Sequence, residues 1–139
     1  MLSNILIAHD GSDGAFKALT FALDLAHQLQ LPLSMLMVEE TPDFPASMDE
    51  VMEEKREFDF RFKPVAERAK QLAALKQVNL DVQVVSGHPV RTITEFVKEH
   101  GVDLLVVGFM GHSALYERII GGTADRLVRL SPCTVTVVK

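Results

Sequence analysis

The chain has 139 residues, 47% of them hydrophobic and 24% charged, with a net charge of −5 and one cysteine. That length suits a single domain over residues 1–139, burying about two thirds of the surface its unfolded chain would expose. The numbers exclude an internal disulfide or cysteine-built metal cage, a membrane span (no apolar run nears ~18 residues) and, for want of a clustered basic face, a nucleic-acid partner.

The start, MLSNILIAHDGS, has no basic stretch ahead of an apolar one, so a soluble cytoplasmic protein is expected. NILIAH (4–9) is a short, nearly continuous apolar run stopping at DGSDG, which reads as a buried strand and a turn. Ser12 can cap the next segment, where Phe16, Leu19, Leu23 and Ala26 recur at the spacing of one helix face. LSMLMVEE (33–40) is a second strand. From Glu39 to Asp59, nine acids against Lys55 and Arg56 leave a local charge of −7, the mark of a solvated loop and helix face.

A helical pattern then runs from about Asp49 to Gln77, and Pro64 should divide it into two pieces. Phe58, Phe60 and Phe62 alternate at period two, which a helix would spread around its circumference. LDVQVVSG (80–87) is a third strand, and PVRTITEFVKEHG a helix with Pro89 near its start and Gly101 just past its end. VDLLVVGF (102–109) is a fourth strand. TADRLVRLSP (123–132) is a helix stopped near Pro132, and the strand from Cys133 to Val138, CTVTVV, closes the chain. Cys133 reads as a small apolar residue. Strand and helix alternate throughout, so the expected fold is α/β: a five-stranded parallel sheet with helices on both faces.

Half of the eight glycines (Gly108, Gly111, Gly121 and Gly122) fall between Val106 and Thr123. Glycine weakens regular structure, so such a cluster implies either a backbone that turns oddly or one that something approaches closely. The segment follows the fourth strand, in the crevice where open α/β sheets bind ligands. Glycines there expose backbone N–H groups to an anion, and a helix starting near Thr123 would add its positive end. Ser113 and Thr123 supply hydroxyls. There is no Gly-Lys-Ser/Thr and no G-x-G-x-x-G, and GHSAL lacks the second glycine of a nucleophile elbow.

Gly108-x-x-Gly111, nine residues, then Gly121 resembles the nucleotide-binding signature of the universal stress protein family. The resemblance covers the whole chain, from ILIAHDGS, with Asp10 at the family's acidic position, through MLMV and DLLVVG to the last apolar strand. It implies an adenine-nucleotide α-hydrolase-like, Rossmann-like architecture, a homodimer, and ATP as ligand with Mg²⁺ accompanying it. It also implies that Ala8, His9, Asp10 and Val38 frame adenine and ribose. Gly108, Gly111, His112 and Ser113, with Gly121, Gly122 and Thr123, would then hold the phosphates. One departure stands out: the family places Ser or Thr directly after the third spaced glycine, where this chain has Gly122. Thr123 could supply that hydroxyl as helix cap or phosphate ligand.

Each of these residues has a second reading. Asp10 can serve a ribose or a metal-bound water, or simply cap the DGS turn. His9 and His112 can face the crevice, though a loop histidine is ordinarily a solvated polar residue. Arg118 can reach a phosphate or point to solvent. Alternating threonines and valines in CTVTVV suit an edge strand, which a second copy related by a two-fold axis would close. The expected function is an ATP-binding, dimeric regulatory protein of the stress response, with weak ATPase activity at most. The alternatives are a slow nucleotide hydrolase using Asp10, His9 or His112, and a dimeric adaptor that binds no nucleotide.

Overall fold

The computed structural model describes residues 1–40, 47–110 and 120–139. Along the chain lie β1 (Ile5–Ala8), α1 (Asp13–Leu29), β2 (Leu33–Glu39), α2 (Met48–Leu75) and β3 (Leu80–Ser86). They are followed by α3 (Pro89–Glu99), β4 (Leu104–Gly108), α4 (Gly122–Leu130) and β5 (Thr134–Val138). All strand pairs are parallel, and the order across the sheet is β3-β2-β1-β4-β5. The expected five-stranded α/β sheet is therefore present, with β5 at one edge. The chain reverses its winding between β1 and β4, which makes their carboxyl ends the switch point.

The central strands read as continuous apolar runs because both of their faces are covered. Ile5, Ile7, Leu33, Met35, Met37, Leu104 and Val106 pack with α1 and α2. Leu6, Leu36, Leu105 and Val107 pack with α3 and α4 on the other side. Helix α1 starts as its sequence requires: the Ser12 hydroxyl accepts from the Ala15 N–H at 3.1 Å. Its face of Phe16, Leu19, Leu23 and Ala26 is buried, as the spacing predicted.

Helix α2 corrects the sequence reading, because it runs unbroken through Pro64. The ring removes the N–H that would serve the Phe60 carbonyl. Both residues are exposed, Phe60 at 86%, so water can take that donor's place. A reciprocal Ser47–Glu50 capping box starts the helix at 3.1 and 3.2 Å. Two residues apart means about 200° around the helix, so Phe62 turns inward at 5% exposure while Phe60 faces solvent. The Phe58 side chain lies outside the described set. Every described side chain from 48 to 61 is exposed, and Phe62 is the first buried one among the described side chains of α2.

Candidate nucleotide site at the switch point

The site begins where β1 ends. The His9 N–H donates to the Leu36 carbonyl at 3.0 Å, which extends the β1–β2 ladder by one residue. The chain then folds on itself: His9 Nδ1 accepts from the Gly11 N–H at 3.0 Å, and Asp10 Oδ1 accepts from the Ser12 N–H at 2.9 Å. Gly11 takes φ 86°, a left-handed value suited to glycine. Asp10 thus makes the Asx turn that its DGS context allows. His9 differs from the usual loop histidine: it is 2% exposed, with its ring edge-on to Phe16 at 4.4 Å. The other side of this packing is Arg68, whose guanidinium lies 3.9 Å from the Phe16 ring centroid.

Over the carboxyl ends of β1, β2 and β4 lies a cavity of about 520 Å³. That is within the range of small-molecule sites, roughly 300–1,000 Å³. Its apolar part comes from Ala8, Leu36, Val38 and Val107 on the sheet and Pro89 and Ile93 on α3. Arg61 and Phe62 of α2 wall one side. Ala8, His9, Asp10, Val38, Gly108, Gly121, Gly122 and Thr123, all singled out from the sequence, line this one cavity. Gly111, His112, Ser113 and Arg118 lie outside the described residues.

The entry to α4 decides what the glycines do. The Gly121 N–H donates to the Phe109 carbonyl at 2.8 Å, tying the helix start to the end of β4. Gly121 is the N-cap, and as a glycine it brings no side chain of its own to cap the helix. The first bond within α4 runs from the Asp125 N–H to the Gly121 carbonyl at 2.9 Å. The N–H groups of Gly122, Thr123 and Ala124 precede it, at the positive end of the helix, and all three residues line the cavity. Thr123 is the second helical residue, so it is not the cap that the sequence allowed; the helix begins one residue earlier than expected.

Two of the three described glycines flanking the gap differ. A Cβ on Gly122 would meet nothing within 4 Å, whereas one on Gly108 would collide with the backbone of Gly14. Gly122 leaves open space at the mouth, and Gly108 lets β4 end against α1. Sequence reasoning missed Gly14, Glu40, Arg61 and Phe62. A signal for Phe62 was available, since it shares a helical face with Ala69 and Ala73, both buried.

A parallel sheet covered by helices on both faces, with a small-molecule-sized cavity at its switch point, defines a doubly wound α/β protein. The chain belongs to the universal stress protein family, which it matches over residues 1–139. The universal stress protein YxiE of Bacillus subtilis is 33% identical to it over the full length of both chains. UspA from Lactobacillus plantarum superposes with a TM-score of 0.84 at 27% identity, covering 99% of this chain and 97% of that one. A universal stress protein solved in complex with cAMP superposes with a TM-score of 0.77 at 23% identity, covering 99% and 97%, and so shares the fold.

Proposed function

We propose that the protein is an adenine-nucleotide-binding regulator of the stress response, with ATP as its ligand, acting in the cytoplasm as a homodimer. The observation that carries this reading is the start of α4 at a glycine cap, where the N–H groups at 122, 123 and 124 border a cavity of about 520 Å³. The apolar floor at Ala8, Leu36 and Val38 suits a purine, and the cAMP bound by the structural neighbour is an adenine nucleotide. Mg²⁺ would accompany the phosphates, with Asp10, in the turn after β1, as a carboxylate on the cavity wall. Gly111, His112 and Ser113 complete the phosphate loop in this reading. None of the described residues lining the cavity is a lysine, which argues for binding and release rather than rapid phosphoryl transfer.

The test is thermal unfolding with and without millimolar Mg-ATP. Ligand at ~100 times its Kd stabilises by ~2.7 kcal/mol, enough for a shift of a few degrees in a domain of this size. A shift supports nucleotide binding. Its absence would favour the adaptor reading, for which exposed Met48 (80%), Val51 (50%) and Met52 (54%) on α2 offer a docking surface.

A further inference from the structure

We propose that Arg61 of α2 reads the charge of the ligand in this cavity, so that affinity rises with the number of phosphates. The inference rests on the adenine-nucleotide reading above and names a residue that reading does not use. Asp10 and Glu40 bring carboxylates to the cavity wall, and among the described lining residues Arg61 alone brings a permanent positive charge. Among the described lining residues, an anion entering there meets two like charges and one opposite one.

Arg61 is also held where it can act. Its guanidinium carbon lies 4.7 Å from the centroid of the Phe62 ring, and Phe62 is both buried and part of the same wall. Among the described residues, no carboxylate lies within ion-pair distance of Arg61. Its charge is therefore not cancelled by a neighbour in that set.

Size makes the argument independent of the ligand's pose. A cavity of about 520 Å³ is equivalent to a sphere about 10 Å across, close to the Debye length of ~8 Å at physiological ionic strength. A charge bound inside thus feels Arg61 wherever it sits. Two unit charges about 8 Å apart in water-like surroundings at low ionic strength change a binding constant roughly two- to threefold. The effect should multiply with each charge on the ligand and vanish for a neutral one.

The experiment titrates the full chain with adenosine, AMP and ADP in metal-free buffer, for the native protein, Arg61→Gln and Arg61→Glu. Arg61 is exposed, so both variants should unfold at the native temperature without ligand. Adenosine affinity should be equal in all three. AMP, with about two charges, should weaken roughly four- to tenfold in Arg61→Gln, and ADP more, with Arg61→Glu roughly squaring each loss. Half-molar salt should shrink the differences. Equal losses for adenosine and AMP would mean a packing role and overturn the inference, as would native AMP binding in Arg61→Gln. A native chain that binds none of the three yet is stabilised by Mg-ATP would overturn the inference alone, and one that Mg-ATP does not stabilise either would overturn the nucleotide reading along with it.

Discussion

Gly108, the last residue of β4, rests directly on the backbone of Gly14 in the first turn of α1: a Cβ on Gly108 would stand 2.8 Å from the Gly14 carbonyl carbon and oxygen. The fit continues on the far side, where a Cβ on Gly14 would run into the carbonyl oxygen of Met110. The obstructing atoms are all backbone, so no side chain can swing aside. Of the glycines that form the family signature, Gly108 is thus fixed by packing whatever the cavity holds. Gly108→Ala should cost about 1–3 kcal/mol, as overpacked cores do, and lower the unfolding midpoint by several degrees. An unchanged midpoint would mean that the end of β4 can move away from α1.

Gly122 gives the opposite result. It sits at the first position of α4 with open space where a Cβ would go. Gly122→Ser places a hydroxyl directly after Gly121 and should leave the ligand-free midpoint close to native. The added hydroxyl should keep or enlarge the shift caused by Mg-ATP. Gly122→Asp should also fold, since a carboxylate at a helix N-terminus stabilises by roughly 0.3–1 kcal/mol, yet it puts a negative charge against the phosphates. Its expected signature is a native or higher midpoint with no nucleotide shift. A native-sized shift in Gly122→Asp would remove the phosphates from the start of α4.

Three helix-to-strand connections use one design. Gln30, Gln77 and Gly101 take φ of 56°, 57° and 61°, and each stands three residues before the first residue of the next strand. After each, a back-bond closes the turn: Leu31 N–H to the Ala26 carbonyl at 2.9 Å, and Val78 to Ala73 and Val102 to Val97 at 3.0 Å. A side chain in this conformation is disfavoured by roughly 1–2 kcal/mol, partly offset by the greater unfolded-state freedom of glycine. Gln30→Gly and Gln77→Gly should each stabilise by about 1 kcal/mol, and Gly101→Ala should destabilise by a similar amount. Urea midpoints would decide, and a loss on either glutamine replacement would mean that its side chain holds something in place.

At the opposite end of the sheet, Asp103 ties down the start of the chain. Its carboxylate accepts from the Ser3 N–H at 2.9 Å, the Ser3 hydroxyl at 3.0 Å and the Asn4 N–H at 3.1 Å. The Ser3 N–H, before the other contacts, holds its pKa below the usual 3.8. A carboxyl more acidic in the folded state stabilises above its unfolded value, and that contribution is lost as pH falls through the folded one. Asp103→Asn should therefore lose less stability than the native protein as pH drops below 3.8. Parallel acid limbs in the two unfolding curves would contradict this.

The strands were legible because a parallel sheet covered on both faces demands unbroken apolar runs, and ILIA, LSMLM and LLVV supply them. The helix starts at Ser12 and Pro89 were legible because caps act over three or four residues. What stayed hidden depended on packing between distant segments. Nothing near Gly14 announces that β4 will end on it, and Arg61 reaches the cavity only because α2 passes Pro64 unbroken. The glycine spacing located the cavity, yet it could not tell Gly108, where a Cβ would strike its neighbour, from Gly122, where a Cβ would meet open space.

The proposed homodimer makes the last prediction. β5 is an edge strand, and in a parallel pair a residue's N–H and carbonyl point to the same side. The Val138 carbonyl accepts from the Phe109 N–H at 2.8 Å, so Val138, Thr136 and Thr134 face β4, while Val135 and Val137 turn their backbone groups outward. Those outward groups are what the same strand of a second copy would pair with across a two-fold axis. Val137→Pro removes one outward N–H and leaves the β4 ladder intact. The native protein should sediment as a dimer and Val137→Pro as a folded monomer. A dimer that survives the substitution would move the interface off the sheet edge, and the exposed length of α2 would be the surface to test next.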